Sequence, residues 1–544
     1  MRIDIVKIDG FKNLNNFQID LDQRKMHTIL LGQNAAGKSN FLEALVIIFR
    51  DLDLNERKAV NPEFNFDIQY ECKSNNVRII GINKVIDSSS GADERFIVGN
   101  KIGYSYYVNG VSIKKTEFYK IKNDHLPKYV FSYYSGISNR LEKHFDTHQR
   151  KFLKDLMDGV DDPMRPLFYT RAIHSHFVLL AFYGLPEDKI NTFLKDYLNI
   201  LGLESILFVF KIPYWYKGKI RPGGDSKFWY AKGVVKDFLN DLWDCSLAPL
   251  PIKEKVREDF HKNHDEEHLY LYISNQEKLA ELAQKYGSNA NFFKMLESTY
   301  ISDLISEVRV KVKKQNVDGH ITFKELSEGE QQLLTVLGLM RFTKDEDTLF
   351  LLDEPDTHLN PLWKWKYMNL MEEVVDTDKT SQVIMTTHDP LVIGGLTRQE
   401  IRIFQADIDN SVTEEKTVIQ TFMPDFNPKG LGVAGILTSE FFNLPSSMDE
   451  ESFNNLSKKR ELEVLEREGK LSPEQKAELQ ILIEKLEKIG LESSQRDPLY
   501  EKFIKAVYEN PDLQKPSLNL EDRKAQNEKM AELLKQIMDE EKEV

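Results

Sequence analysis

Along this chain apolar runs end abruptly at small or charged residues. The opening MRIDIVKIDG alternates apolar and polar positions, as a half-buried strand does. HTILLGQNAAGKSNFLEAL joins an apolar strand, a small-residue loop and a helical pattern. FDIQYECK, VRIIGINKVI and IGYSYYVNG follow as β-type stretches. In TLFLLDEPDTHLNP a short apolar strand, Leu349 to Leu352, runs straight into Asp353 and Glu354. SQVIMTTHDP repeats the arrangement, with Val383 to Met385 ending near His388. In LSEGEQQLL, Ser327 and Glu330 form an N-cap with its reciprocal partner, so a helix starts there.

These punctuation points carry chemistry. Gly32 and Gly37-Lys38-Ser39 match the spacing G-x-x-x-x-G-K-[ST]. The glycines permit turns that side chains would block, so successive N–H groups face inward as a nest for phosphate oxygens. Lys38 would reach β- and γ-phosphates, and the Ser39 hydroxyl would complete the shell of a Mg²⁺ ion. Asp353 stands at the C-terminal edge of its strand, where a further Mg²⁺ partner must sit, and Glu354 is placed to polarise an attacking water. The Glu328-Gly329 step leaves a helix N-terminus open to an anion.

At 544 residues and 41% hydrophobic, the chain can bury a large core and form two to four domains. A net charge of −14 argues against indiscriminate coating of nucleic acid, though a local basic groove stays open. Cys72 and Cys245 are too far apart for a zinc ribbon or a disulfide framework and fit a reducing cytoplasm. No apolar run approaches the ~20 residues that span a bilayer. The expected divisions are 1–128 for a first lobe with the phosphate loop, 129–306 for a mostly helical insert, 307–423 for a second lobe, and 424–544 for a C-terminal helical region. In that last region Gly469 ends one helix, Ser472-Pro473 with Gln475 starts another, and Leu479, Leu482, Leu486 and Ile489 form one stripe. The tail MAELLKQIMDEEKEV reads as a further amphipathic helix. Self-association, packing on the head and partner docking all remain open for this region.

Taken in order, phosphate loop, LSxGE, strand-Asp-Glu and strand-His resemble the ABC-type ATPases, and most of all their soluble SMC, RecF and OLD-like branch. The early GFKNLNNF turn and the loop form G-x-N-x-x-G-K-[ST]-N, with Asn34 and Asn40, are similar to that branch. The resemblance implies an α/β ABC-type P-loop head that binds ATP and Mg²⁺ between two copies. Gly32, Asn34, Gly37, Lys38, Ser39, Asn40, Asp353, Glu354 and His388 would act in cis. Ser327 and Gly329 would cap the γ-phosphate in trans, and Asp356 would lie on the loop that crosses between protomers. One departure is the lack of a glutamine soon after KYVFSYYSG: Gln149 lies well downstream, and Ser132 or Ser135 would have to substitute. Lys12 is a candidate adenine contact. In the C-terminal region, GVAGILTSEFFNLPSSMDEES, a charged helical hairpin and DPLYEKF resemble the PtuA family of the Septu anti-phage systems, some of them retron-associated. That implies a cytoplasmic ATPase controlling a separate, PtuB-like HNH nuclease, with higher assemblies of dimers.

Other patterns are weaker. Asp407 and Asp409 in QADIDN lack the preceding Glu-Gly strand of a TOPRIM nuclease and read as a turn. His264 and His268, like His144 and His148, have i, i+4 spacing that would suit a metal only on a helix face, without the H-E-x-x-H order. Residues 210–233 interleave Lys211, Lys217, Lys219, Arg221, Lys227 and Lys232 with aromatics. Two readings stand: a nucleic-acid contact, or a β-hairpin around Pro222-Gly223-Gly224 covering a core, which the usual composition of hairpins favours. A RecF- or SMC-like DNA repair ATPase is the rival to nuclease control.

Overall fold

The computed structural model describes residues 1–22, 24–56, 59–84, 101–136, 138, 140–160, 166–259, 261–315, 320–322, 326–343, 347–375, 381–409, 416–489, 506, 510, 513, 525, 526 and 528–536. It divides into two units, Met1–Asn443 and Leu444–Val544.

In the first unit a six-stranded antiparallel sheet runs in the order Phe17–Asp20, Arg2–Asp9, Asn65–Cys72, Asn75–Ile82, Gly103–Val108, Val111–Ile113. A seven-stranded sheet runs Lys416–Phe422, Ile401–Asp409, His27–Gly32, Gln382–Thr386, Thr348–Asp353, Tyr129–Tyr134, Leu167–Tyr169. All its neighbours are parallel except the first pair. Its central strands Gln382–Thr386 and Thr348–Asp353 are buried at every position because both faces are covered. Leu30, Leu349, Leu351 and Ile384 meet helix Lys38–Leu54 and the antiparallel sheet in one core. Ile29, Leu31, Phe350, Leu352 and Met385 meet helices Ile173–Gly184, Glu328–Thr343 and Pro361–Val375 in the other. The phosphate-loop helix thus lies between two sheets in an α/β architecture.

The insert departs from expectation. Tyr129–Tyr134 and Leu167–Tyr169 are strands of the parallel sheet, so the segment from 129 begins inside the head. Further on, a five-stranded antiparallel sheet in the order Leu247–Asp259, Lys262–Ile273, Ile200–Lys211, Ile305–Lys314, His320–Thr322 accompanies the helices. The insert is therefore mixed α/β. Its alternating Val308, Val310 and Val312 are buried on one face, and this face joins the core of the parallel sheet.

The expected boundary at 423 also moves, because Ile436 and Phe441 are buried in the first unit's core. In the second unit, helices Glu450–Arg467 and Pro473–Lys488 form the expected hairpin around Leu462, Leu479 and Leu482. Ser472 and Gln475 make the reciprocal cap, and Leu486 is buried. Ile489 is exposed, outside the stripe it was assigned to. DPLYEKF, Gly490 and the tail beyond residue 536 lie outside the described residues.

Candidate functional site

Strand His27–Gly32 ends in a loop whose glycines have structural reasons. Gly32 sits at φ 140°, where a Cβ would come within 2.3 Å of Phe404 O. Gly37, at φ 91°, is the left-handed N-cap of helix Lys38–Leu54. Lys38 is the first residue of that helix and is nearly buried; its Nζ folds back to donate to Gly32 O at 2.6 Å and Gln33 O at 3.0 Å. Burial pulls the Lys38 ammonium down to about 8, against the opposing pull of Glu354 and Asp353.

Parallel pairing brings the acids to this loop from far along the chain. Ser39 Oγ donates to Asp353 Oδ1 at 3.1 Å, and Thr386 Oγ1 donates to the same oxygen at 2.6 Å. Asp353 Oδ2 is buried and has no partner among the described residues. Burial pushes the Asp353 carboxyl up, while the Thr386 and Ser39 bonds pull it down. An orphaned carboxylate oxygen beside a hydroxyl is a donor set of the hard-oxygen kind that Mg²⁺ takes. Ser39 and Asp353 fit that ion.

Glu354 follows at φ 52°, a left-handed backbone rare for a side-chain-bearing residue. Several contacts hold it there. Its N–H donates to Thr386 Oγ1 at 2.9 Å, and its carbonyl accepts from Thr357 Oγ1 at 2.9 Å and Gln332 Nε2 at 3.4 Å. The side chain is 40% exposed, with Oε1 3.4 Å from His388 Nε2. Burial and the Lys38 charge lower the His388 imidazole, with Glu354 and Asp353 opposing. Ser135 reaches the same turn: its N–H donates to Asp353 O at 3.2 Å and its Oγ is 3.3 Å from Thr357 Oγ1. Ser132 is buried inside its strand, away from that turn.

Helix Glu328–Thr343 starts as the pattern requires. Glu330 N–H donates to Ser327 Oγ at 3.2 Å and Ser327 N–H donates to Glu330 Oε2 at 2.8 Å. Gly329 is buried, and a Cβ there would lie 2.4 Å from His358 O. Only glycine lets the helix end approach the loop after Glu354 this closely.

The remaining candidates take the following places. Asn34 is exposed on the loop. Asn40 turns its amide to Asn13 and Arg140 at 2.6 Å each, so its side chain is already engaged within the chain. Asp356 is 3% exposed within the chain, with Oδ2 accepting from Thr387 Oγ1 at 2.8 Å and Oδ1 buried without a partner among the described residues. Burial raises its carboxyl to about 6. Lys12, the candidate adenine contact, is bonded to the Glu43 carboxylate. Thr386, Thr387, Gln332 and Arg140 were missed. For the two threonines the TTHDP step was the available signal, hydroxyls at a strand end facing acids.

The weaker patterns resolve too. Asp407 and Asp409 lie on strand Ile401–Asp409, paired with Lys416–Phe422, and not in a turn. His264 and His268 lie on strand Lys262–Ile273, where i, i+4 positions are far apart. His144 and His148 pair separately, with Glu43 Oε1 at 3.0 Å and Asp53 Oδ2 at 2.8 Å. Residues 212–232 form no strand pair beyond a single bridge, Asp225 to Ala231. Phe228 and Trp229 are buried, Arg221 packs 4.8 Å from the Trp215 ring, and Lys211 pairs with Asp303. Lys217 and Lys219 are exposed.

Two family models match the chain, one on each half of this site. Residues 1–159 match the AAA ATPase domain family, and residues 234–394 match the AAA domain family described with the AbiEii toxin of a Type IV TA system. Among solved structures, the SMC head domain from Thermotoga maritima aligns at 12% identity over 78% of this chain and 99% of that chain, with a TM-score of 0.30. An Smc head domain with an extended coiled coil bound to the C-terminal domain of ScpA, derived from Pyrococcus furiosus, aligns at 14% identity over 78% and 96%, with a TM-score of 0.31. No curated protein matches the chain. Among the described residues no helix is long and apolar enough to cross a membrane.

Proposed function

We propose that this AAA-type ATPase hydrolyses ATP at a site shared between two copies of the chain, and that its nucleotide state controls a partner nuclease of the HNH kind. The observation that carries the ATPase reading is the convergence of Lys38, Ser39, Asp353, Glu354 and His388 at the ends of three adjacent parallel strands, with Asp353 Oδ2 buried and unpaired. Lys38 would exchange its bonds to Gly32 O and Gln33 O for β- and γ-phosphate oxygens. Ser39 and Asp353 would hold Mg²⁺, whose charge would neutralise those phosphates. Glu354 takes a proton from the attacking water as its oxygen bonds to the γ-phosphorus and the bond to the leaving ADP oxygen breaks. His388 stands beside Glu354 to orient that exchange.

The start of helix Glu328–Thr343 supports the shared site. Ser327 and Gly329 offer a helix N-terminus, suited to an anion, packed against the loop after Glu354. A second copy would bring that end over the γ-phosphate, giving a clamp that closes with ATP and opens after hydrolysis. The nuclease partner rests on the C-terminal resemblance to the PtuA family. Co-purification with an HNH nuclease, lost on truncation before Ser446, tests it; retention by the truncated chain removes that part. A nucleic-acid contact in 210–233 would fall to Lys217, Lys219 and Tyr214, which are exposed.

A further inference from the structure

Helix Lys38–Leu54 buries Glu43, one turn beyond Ser39 and 1% exposed. Its Oε1 lies 3.0 Å from His144 Nε2; its Oε2 accepts from Arg140 Nη2 at 2.8 Å, Arg140 Nε at 3.2 Å and Lys12 Nζ. Burial pushes this carboxyl up, but the bonds from His144, Lys12 and Arg140 outweigh it and hold it at about 2. Glu43 is therefore an anion throughout the physiological range, and it pins the Arg140 guanidinium.

From Arg140 a one-way relay runs to the phosphate loop. Arg140 Nη2 donates to Asn40 Oδ1 at 2.6 Å, Asn40 Nδ2 donates to Asn13 Oδ1 at 2.6 Å, and Asn13 Nδ2 donates to Ala35 O at 3.0 Å. An arginine can only donate, so it sets the direction of both amides behind it. The relay ends on a strained residue: Ala35 sits at φ 63°, a left-handed conformation that side-chain-bearing residues seldom adopt without support.

We propose that Arg140 is a positioning residue of the nucleotide site, holding the phosphate loop in its binding shape through Asn40, Asn13 and Ala35. This rests on the ATPase reading above and adds regulation to it. Arg140 stands between strand Tyr129–Tyr134 and helix Asp146–Asp158, which leads into the insert. The relay makes the shape of the loop depend on that segment.

The test uses full-length protein, titrated with a fluorescent ATP analogue and assayed for phosphate release. Arg140→Ala and Asn13→Ala should each raise KM and Kd about tenfold, with kcat changed less than about threefold, because the nest loses preorganisation. The double variant should be no worse than the worse single, since both break one relay, and Arg140→Lys should recover most of the affinity. Additive losses, or an Arg140→Ala protein with lower thermal stability but an unchanged KM, would overturn the proposal and leave Arg140 a structural residue. If Arg140→Ala fails to fold, Asn13→Ala decides alone, and an unchanged KM overturns the proposal. A wild-type chain that binds no ATP removes the ATPase reading itself.

Discussion

Ser39 Oγ and Asp353 Oδ1 meet at 3.1 Å although 314 positions separate them in the chain. The bond occupies one carboxylate oxygen and leaves the other, Oδ2, buried and unpaired among the described residues. Asp353→Asn puts an amide where a hard-cation partner is needed. It should reduce Mg²⁺-dependent phosphate release by roughly 100-fold or more, about 2.7 kcal/mol of barrier. Chelating divalent metal should silence the wild type to the same degree. Hydrolysis that survives both would remove Asp353 from the metal site.

Glu354→Gln keeps the side chain's shape and removes its basicity. Nucleotide affinity should stay within about threefold of wild type while turnover falls roughly 100-fold or more. Equilibrium nucleotide titration beside single-turnover phosphate release separates the two effects. Equal loss of both would make Glu354 a binding residue.

Lys38 gives the site a pH signature. Its ammonium is lowered to about 8 in the free protein, and bound phosphate would raise it. Affinity linked to the Lys38 charge is then fully present below pH 8 and lost as pH rises above it, up to about tenfold per unit until the bound value is reached. Titrations from pH 7 to 9.5 should show weakening above 8 for the wild type. A pH-independent affinity would show that Lys38 does not meet the phosphates as a cation.

Much of this site could be read from the chain because strand ends are local signals. Leu349 to Leu352 and Val383 to Met385 declare buried strands, and the residues that follow must lie at one edge of a parallel sheet. What stayed hidden depends on pairing over distance. Nothing in KYVFSYYSG says that it lies beside Thr348–Asp353, so the insert seemed to begin there. Asn40 fits a binding pattern, yet Arg140, 100 positions away, claims its amide. The long strands Leu247–Asp259 and Lys262–Ile273 carry many charged residues, which blurs the period-2 signal that marked the shorter strands.

Asp356 illustrates the same limit and yields a stability prediction. Its carboxyl is raised to about 6 by burial. Because the folded value lies above the unfolded one, the stability linked to this group is fully present below about pH 4 and lost as pH rises through 6. Asp356→Asn, which can still accept from Thr387, should stabilise the fold at pH 7.5 by about 1–3 kcal/mol. That gain should shrink as pH falls from 6 toward 4. Urea unfolding at both ends of the range checks it, and a destabilised Asn variant at pH 7.5 would mean the ionised carboxylate is needed for the fold.

The shared site is tested most directly by complementation between two inactive copies. Lys38→Ala and Ser327→Arg chains are each expected to hydrolyse ATP at background when alone. Mixed at equal amounts, they should recover roughly a quarter of wild-type phosphate release, because half the dimers are mixed and each mixed dimer has one intact composite site. Recovery at that level is the result the account predicts. A mixture as inactive as its components, or a Ser327→Arg chain fully active by itself, would contradict it.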